Sequence, residues 1–371
     1  MKSLISRLLI TITLVPLLAG AADSLAAKDV RVAVLISGYG NQTNGEIGYD
    51  LEELAQSYLV LTDNGVQLDI ISPTGGAVPV HNKKDDLEYI QRFKHETPAL
   101  QQLNATLSAG QALENHYDGL MIIGGDGAMF DLPFDANTQT FIRRFVTAEL
   151  PLAAVCHGPA ALVNITLENG DYFLSGKRVN SFTEIEEQAF SAELIDKFPF
   201  MLQPTIEARG AEFVANAPML PFVAQDGHLI TAQNPMSVAK AAEALLVTLG
   251  ITPKPRAMFK DEKTMELVSR ARTEGAFMID VALAKSAQQY DLNYLALYGF
   301  YAYRLATSEA DKRNELTLMA RIGQHFSHPQ YAVALIEALL EQGKASEAQT
   351  EKQRLTQAFP DFELPQLLQD I

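Results

Sequence analysis

"PLAAVCHGPAAL", Pro151 to Leu162, holds the only cysteine in a chain of 371 residues. An apolar run of strand type leads into Cys156, and His157, Gly158, Pro159 and a small-residue run of helical character follow at once. A strand turning sharply into a helix leaves little room two positions either side of the turn. Ala154 and Gly158 are the small residues such an elbow needs, as in the related Gly-x-Ser-x-Gly arrangement. A helix starting just after Cys156 would put backbone N–H groups and partial positive charge beside the sulfur, and both favour thiolate over thiol. A lone cysteine at a strand end is otherwise a packing residue. The small flanks and the "HGP" that follows favour a nucleophile.

Working outward, apolar strands alternate with amphipathic helices from Asp29 to about Gly250. "VRVAVLISG" (Val30–Gly38) reads as a first buried strand, "YDLEELAQSYLVLTDNG" as a helix ending at Gly65, and "VQLDIISP" as a strand stopped by Pro73. "DGLMIIGG" and "PLAAVC" read as two more strands, with a helix through "TQTFIRRFVTAEL" between them. Strands separated by helices imply a parallel sheet covered on both faces, with ligands at the carboxyl ends of its strands. Residues 75–115 interrupt the alternation and read as an excursion over the sheet edge. "GDYFLSGKRVNSFTEIEEQAF" reads as a short hairpin and a helix, "PFVAQDGHLITAQNP" as two strands around Asp226-Gly227, and "MSVAKAAEALLVTLG" as a closing helix.

Beyond a Pro-rich seam at Ile251–Ala257 every periodic run is helical. The expected organisation is an α/β domain over 28–250 and a smaller all-α domain over 258–371. "YAVALIEALLEQGKASEAQTEKQRLTQAFPDF" resembles the second half of a tetratricopeptide repeat, with a general helical bundle as the alternative. The four tyrosines of "DLNYLALYGFYAYRLA" read as packing for this domain's core.

Composition bounds the partners. Charged residues at 20% and apolar residues at 47% are ordinary for a globular protein, and the length suits two domains. A net charge of −16 without clustered Lys and Arg argues against nucleic acid. Residues 1–26 carry a basic start (Lys2, Arg7), an apolar run from Leu8 to Leu18 and small residues at Ala19–Ala21 and Ser24–Ala26, the pattern of a cleavable signal peptide. The run is shorter than the roughly 20 residues that span a bilayer, so the expected location is periplasmic or secreted, without stable membrane insertion. Seven scattered histidines offer no metal-ligand spacing, and no cofactor is expected.

"AAVCHGPAAL" resembles the nucleophile elbow of the DJ-1/PfpI superfamily. The likeness extends through "GYDLEELAQSYLVLTDNGVQLDIISPTGGAVPV", "IIGGDGAMFDLP", "GKRVNSFTEIEE" and "DGHLITAQNPMS", in that family's order, from about Val30 to Gly250. It implies a flavodoxin-like sheet of the class I glutamine amidotransferase type. Its best fit is the branch of glutathione-independent glyoxalases (glyoxalase III), whose members are also described as protein deglycases and holding chaperones. The resemblance implies Cys156 as nucleophile, Glu53 as the carboxyl group on the sulfur, His157 as the triad imidazole, and Glu187 as its orienting carboxylate. Glu186 or Glu184 replaces Glu187 if the alignment slips. Glu52 is the lesser candidate beside Glu53, because adjacent helical residues point about 100° apart. The N–H groups of Gly125 and His157 would form an oxyanion hole. Without the resemblance, Glu53 would read as a solvated charge on an exposed helix.

The implied reaction is attack of thiolate on a small carbonyl substrate such as methylglyoxal, giving lactate, or on a glycated protein. The enzyme class is a glyoxalase III-type hydro-lyase or deglycase. A redox-sensing or chaperone-like binding protein using the same cysteine is the alternative. A peptidase is less favoured, and so is an amidotransferase, since His228, His325 and His328 lack a Glu two residues on. Two departures stand out: Asp126-Gly127 where the branch usually carries His-Gly, and the helical extension. The extension suits a lid, a homodimer surface or a protein partner's docking face.

Overall fold

The structure is a computed structural model that describes residues 30–80 and 86–369. The signal-peptide segment, residues 1–26, lies outside the described residues. The chain opens with β1 (Arg31–Leu35), a single turn α1 (Gly40–Thr43) and the long helix α2 (Leu51–Asp63), then β2 (Gln67–Ser72). The excursion expected over 75–115 contains α3 (Glu88–Phe93), α4 (Thr97–Asn104), the two-residue strand β3 (Leu107–Ser108) and α5 (Ala109–Ala112). The alternation resumes with β4 (Gly119–Ile122), α6 (Ala136–Thr147) and β5 (Leu152–Val155). After β5 come β6 (Arg178–Val179), α7 (Glu184–Phe190), α8 (Leu202–Ala208), β7 (Glu212–Phe213), the hairpin β8 (Val223–Asp226) and β9 (Leu229–Ala232), and α9 (Val238–Thr248).

Seven strands form one sheet in the order β3-β2-β1-β4-β5-β9-β8, parallel except for the β8–β9 hairpin. The central order is that of a flavodoxin-like doubly wound sheet. Side chains alternate as period-two geometry requires. Val32 and Val34 enter a core with α2 and α9, whereas Ala33 and Leu35 enter a second core with α6. Burial on both faces explains why these strands read as continuous apolar runs. One expectation fails here: "GDYFLSGKRV" makes no hairpin of its own strands, because β6 pairs in parallel with β7. Only a single antiparallel bridge, Thr166 to Tyr172, closes the turn before it.

The helical region follows an irregular segment and comprises α10 (Lys260–Glu274), α11 (Phe277–Ser286), α12 (Leu292–Leu305), α13 (Glu309–Ile322), α14 (Pro329–Glu341), α15 (Ala345–Ala358) and α16 (Gln366–Gln369). Its buried residues, among them Met265, Leu295, Tyr298 and Leu335, join the same apolar cluster as α2 and α9. Helix α2 is therefore covered on both sides, and Leu51 to Leu61 are buried without exception. The exposed helix expected around Glu53 is thus an interior one. Three of the four α12 tyrosines, Tyr294, Tyr298 and Tyr303, are buried and hydrogen-bonded through their hydroxyls.

The crossing of α12 and α14 is tight enough to test. A Cβ added at Gly299 would overlap the Tyr331 hydroxyl, which donates to Met319 O at 2.9 Å. Gly299→Ala is expected to destabilise the protein by about 1–3 kcal/mol. Combining it with Tyr331→Phe should cost less than the two single effects added, because the overlapping hydroxyl is gone; denaturant melts of the four proteins measure this.

Candidate active site

Strand β5 ends in a backbone conformation that L-residues rarely adopt. Cys156 has φ +54°, in the left-handed region, where a non-glycine residue carries strain of about 1–3 kcal/mol. Two hydrogen bonds hold it there: its N–H donates to Ala232 O at 2.8 Å, and its carbonyl accepts from Phe182 N at 2.9 Å. The expected helix after the elbow is one 3-10 turn, Gly158–Leu162, so the dipole it offers the sulfur is small. The close packing expected at Gly158 is present, since a Cβ there would lie 2.8 Å from Ile122 O.

The end of β4 lies directly under the elbow. A Cβ on Gly124 would meet Val155 O at 2.6 Å and the Cys156 Cβ at 2.9 Å. Gly125 has φ +89° and a Cβ there would reach Asp50 N at 2.5 Å, so both conformation and space require glycine. Asp50 caps α2, its Oδ1 accepting from Glu52 N and Glu53 N, and its own N–H donates to Gly124 O at 3.1 Å. The start of α2 is thereby docked onto the end of β4. That docking aims Glu53 at the sulfur.

Glu53 is fully buried, and its Oε2 accepts from Gly124 N at 2.8 Å. Its Oε1 has no hydrogen-bond partner of ordinary geometry, and the carboxyl couples to the Cys156 thiol beside it. Burial, then the Asp50 carboxylate, push Glu53 well above the usual carboxylate range. Burial, then the Glu53 and Asp50 carboxylates, push the thiol up, while the Gly125 N–H bonded to the sulfur opposes them. Both causes act against charge, so the pair holds protons more tightly than either group would in water. Glu52 points elsewhere: its Oε2 accepts from Tyr89 and Tyr294.

His157 is 2% exposed, with Nδ1 3.7 Å from Cys156 Sγ and Nε2 3.6 Å from Glu187 Oε1. The rings of Phe182 and Phe198 lie 4.9 and 5.8 Å from it. Burial alone would lower the His157 pKa, but Glu187 and then Asp126 outweigh it and leave it raised. Of the three glutamates considered at the start of α7, Glu187 is the one beside the imidazole. Glu186 is bound up structurally by Thr183, Met219 N, Gln233 and Asn234. Glu184 is partly exposed and meets Gln188.

Sequence reasoning did not single out several residues that the fold brings here. Asp131 is near Ser37 and accepts from Gly38 N at 2.7 Å, and burial raises its carboxyl to about 6. Ser191 Oγ donates to Asp126 Oδ1 at 2.9 Å. Asp50 carries a legible signal, an Asp immediately before an apolar helical run. The partners of Asp126 and Asp131 are set by tertiary approach and leave no local pattern. A cleft of about 1110 Å³ lined by Arg92, Arg256, Asp261 and His325 opens against the helical region, away from Cys156. Among the described residues no group of three or more His, Cys, Asp or Glu is arranged to hold a metal ion.

Comparison with known proteins follows the same residues. The DJ-1/PfpI family profile matches 46–248, more than half of the chain. A Schizosaccharomyces pombe protein named glutathione-independent glyoxalase hsp3101 is 32% identical over 210 residues, spanning 54% of this chain and 86% of that protein. Glyoxalase 3 of Candida albicans is 27% identical over 233 residues, 58% of this chain and 97% of that protein. Among solved structures, the Rapid Encystment Protein of 24 kDa from Francisella tularensis is 28% identical with a TM-score of 0.54, covering 59% of this chain and 99% of that one.

The His157 environment has a measurable sign. Its folded pKa is raised, so the stability from the imidazolium–carboxylate contact is fully present below the ordinary value of 6.5 and is lost as pH rises through the folded value. Glu187→Gln should move the NMR titration midpoint of His157 downward, since burial remains and its leading carboxylate partner is gone.

Proposed function

The chain belongs to the DJ-1/PfpI family, and from that premise we propose that it is a cysteine-dependent, glutathione-independent glyoxalase or deglycase acting on reactive carbonyls through a hemithioacetal at Cys156. The observation that carries this reading is the sulfur itself. It sits on a left-handed elbow, between the carboxyl of Glu53 and the imidazole of His157, with the Gly125 N–H directed at it. The relatives' names support the reaction class, and the signal-like N-terminus supports an exported setting.

In the proposed reaction the thiol adds to an aldehyde carbon, forming the C–S bond, and its proton passes to the carbonyl oxygen. The oxygen is an alkoxide in passing, and the N–H groups of Gly125 and His157 are the donors to stabilise it. Glu53 is assigned the proton shuttle, taking the C1 proton of the hemithioacetal and returning one to C2. A carboxyl group held above the usual carboxylate range is the stronger base when ionised and still an acid able to return the proton. His157, held by Glu187, donates a proton to the second oxygen and recovers one from the C1 hydroxyl, which becomes the thioester carbonyl. Water then cleaves the resulting thioester, releasing a 2-hydroxy acid and restoring the thiol. The same carboxyl would also hydrogen-bond an oxidised sulfur, which keeps a redox-sensing binding protein as the second reading.

Purified protein is expected to convert methylglyoxal to lactate without glutathione, and Cys156→Ala to abolish it. Glu53→Gln should retain the fold and lower kcat by about 10²–10⁴-fold, the usual share of a positioned acid–base group. Wild-type protein that neither forms lactate nor releases amine from a methylglyoxal adduct, while Cys156 oxidises under mild peroxide, would instead favour the redox reading.

A further inference from the structure

Asp126 follows the glycine whose N–H meets the sulfur, and its carboxylate stands 4.0 Å from His157 Nδ1, the ring nitrogen that faces Cys156 Sγ at 3.7 Å. It is anchored by Ser191 Oγ, yet its side chain remains 33% exposed, whereas Cys156, His157 and Glu187 are buried. Asp126 is therefore a solvent-reaching carboxylate beside the imidazole that contacts the sulfur. Behind it, the leading charged neighbours of Cys156, Glu53 and His157 are all carboxylates: Asp50, Glu52, Glu53, Glu186 and Glu187. The Phe182 ring packed on His157 leads on to Phe190, 6.5 Å away. Phe190, next to Ser191, is 40% exposed and lies 4.9 Å from the ring of Tyr301 on α12.

We propose that Asp126 makes this site selective for positively charged carbonyl adducts carried on a long aliphatic stem, and against anionic carbonyls. Carbinolamines formed by an α-oxoaldehyde on the amine or guanidine of a lysine or arginine side chain are the matching class. The inference rests on the carbonyl-enzyme reading and chooses within it. The carboxylate faces the cationic nitrogen and the Phe190–Tyr301 pair accepts the methylene stem. In the step this favours, the sulfur electron pair forms the C1–S bond while the C1–N electron pair leaves with the nitrogen, which takes the thiol proton. The nitrogen, cationic in the adduct, leaves as the amine and with the thiol proton becomes the ammonium ion; the other product is the hemithioacetal. Asp126 favours the nitrogen's positive charge throughout. It also disfavours retention of the 2-hydroxy acid anion released at the end.

The single cysteine allows a test that does not depend on turnover. Cys156 of the full-length protein is labelled with methanethiosulfonates bearing a trimethylammonium, a neutral methyl or a sulfonate group, and rates are read by mass spectrometry. The expected cationic-over-anionic rate ratio at low salt is on the order of tenfold. It should shrink as salt rises. Asp126→Asn should bring the ratio close to one, and Ser191→Ala, which keeps the charge but frees it, should reduce it partly. An unchanged ratio in Asp126→Asn, a faster anionic reagent, or no labelling of wild-type Cys156 by any reagent would overturn the proposal. If Asp126→Asn fails to fold, the salt series and Ser191→Ala decide the matter. In parallel, kcat/KM for the methylglyoxal adduct of Nα-acetyl-lysine should exceed that for free methylglyoxal, with the preference lost in Asp126→Asn mainly through KM. Charge-selective labelling without any turnover would sink the carbonyl-enzyme reading and not the selectivity. Turnover without charge dependence would do the reverse.

Discussion

The left-handed turn at Cys156 is the constraint on which the remainder of the site depends. A strand cannot continue through a residue at φ +54°, so the chain reverses there and the side chain projects above the sheet's carboxyl edge. The strain persists because β9, through Ala232, and Phe182 each hold one backbone group of Cys156. Reversal at that point is possible only where the neighbouring strand offers no side chain. Gly124 meets that condition, and its freed N–H becomes the donor that fixes Glu53. The elbow, the glycine pair and the start of α2 are thus one junction, whose parts specify one another.

That junction concentrates acids in a dry place. Glu53, Glu186 and Glu187 are all buried, and burial raises both Glu53 and the thiol beside it. Two adjacent anions at this depth would repel strongly, since the Coulomb energy of charges a few ångströms apart grows as the effective dielectric falls. A shared proton removes the repulsion. Burial and the Asp50 carboxylate favour the protonated form of Glu53, and the same two causes act on the thiol. His157 is under the opposite pressure, held toward its charged form by Glu187 and Asp126. Carboxyl and imidazole therefore approach one sulfur from opposite electrostatic settings, a division suited to moving protons in two directions.

How much of this was legible in the chain can be judged residue by residue. The parallel sheet was, because strands buried on both faces are written as unbroken apolar runs such as "VAVLI" and "LMII". The elbow was, because Ala154, Cys156 and Gly158 satisfy a local steric rule that needs no knowledge of distant residues. The separation of Glu52 from Glu53 was partly legible: helical geometry says that only one can face the sulfur, but not which. What decides it is a hydrogen bond to Gly124, seventy-one residues away. The same limit hid the division between Glu186 and Glu187. Both sit in the first turn of α7, and only the approach of Asn234, Gln233 and Met219 converts Glu186 into a structural hub. The missing hairpin has a similar cause, since β6 prefers β7, a partner the local sequence does not contain.

The neighbouring glutamates of α2 also explain why the helical region is more than an appendage. Glu53 turns toward the sulfur, while Glu52, about 100° around the helix, is hydrogen-bonded by Tyr89 and by Tyr294 of α12. Tyr89 reaches on to Asp261 of α10 at 2.9 Å. One helix thus carries a carboxyl to Cys156 on one side and seats a buried polar cluster of the helical region on the other. Because Glu52 and Glu53 are consecutive on α2, the contacts made by Tyr89 and Tyr294 fix the same turn that presents Glu53 to the sulfur. A second contact runs from Tyr301 to Phe190 on α7, the helix that bears Glu187 and is capped at its end by Ser191. The helical region therefore touches both elements that hold the acids around Cys156. Its packing bears on the two helices that carry Glu53 and Glu187.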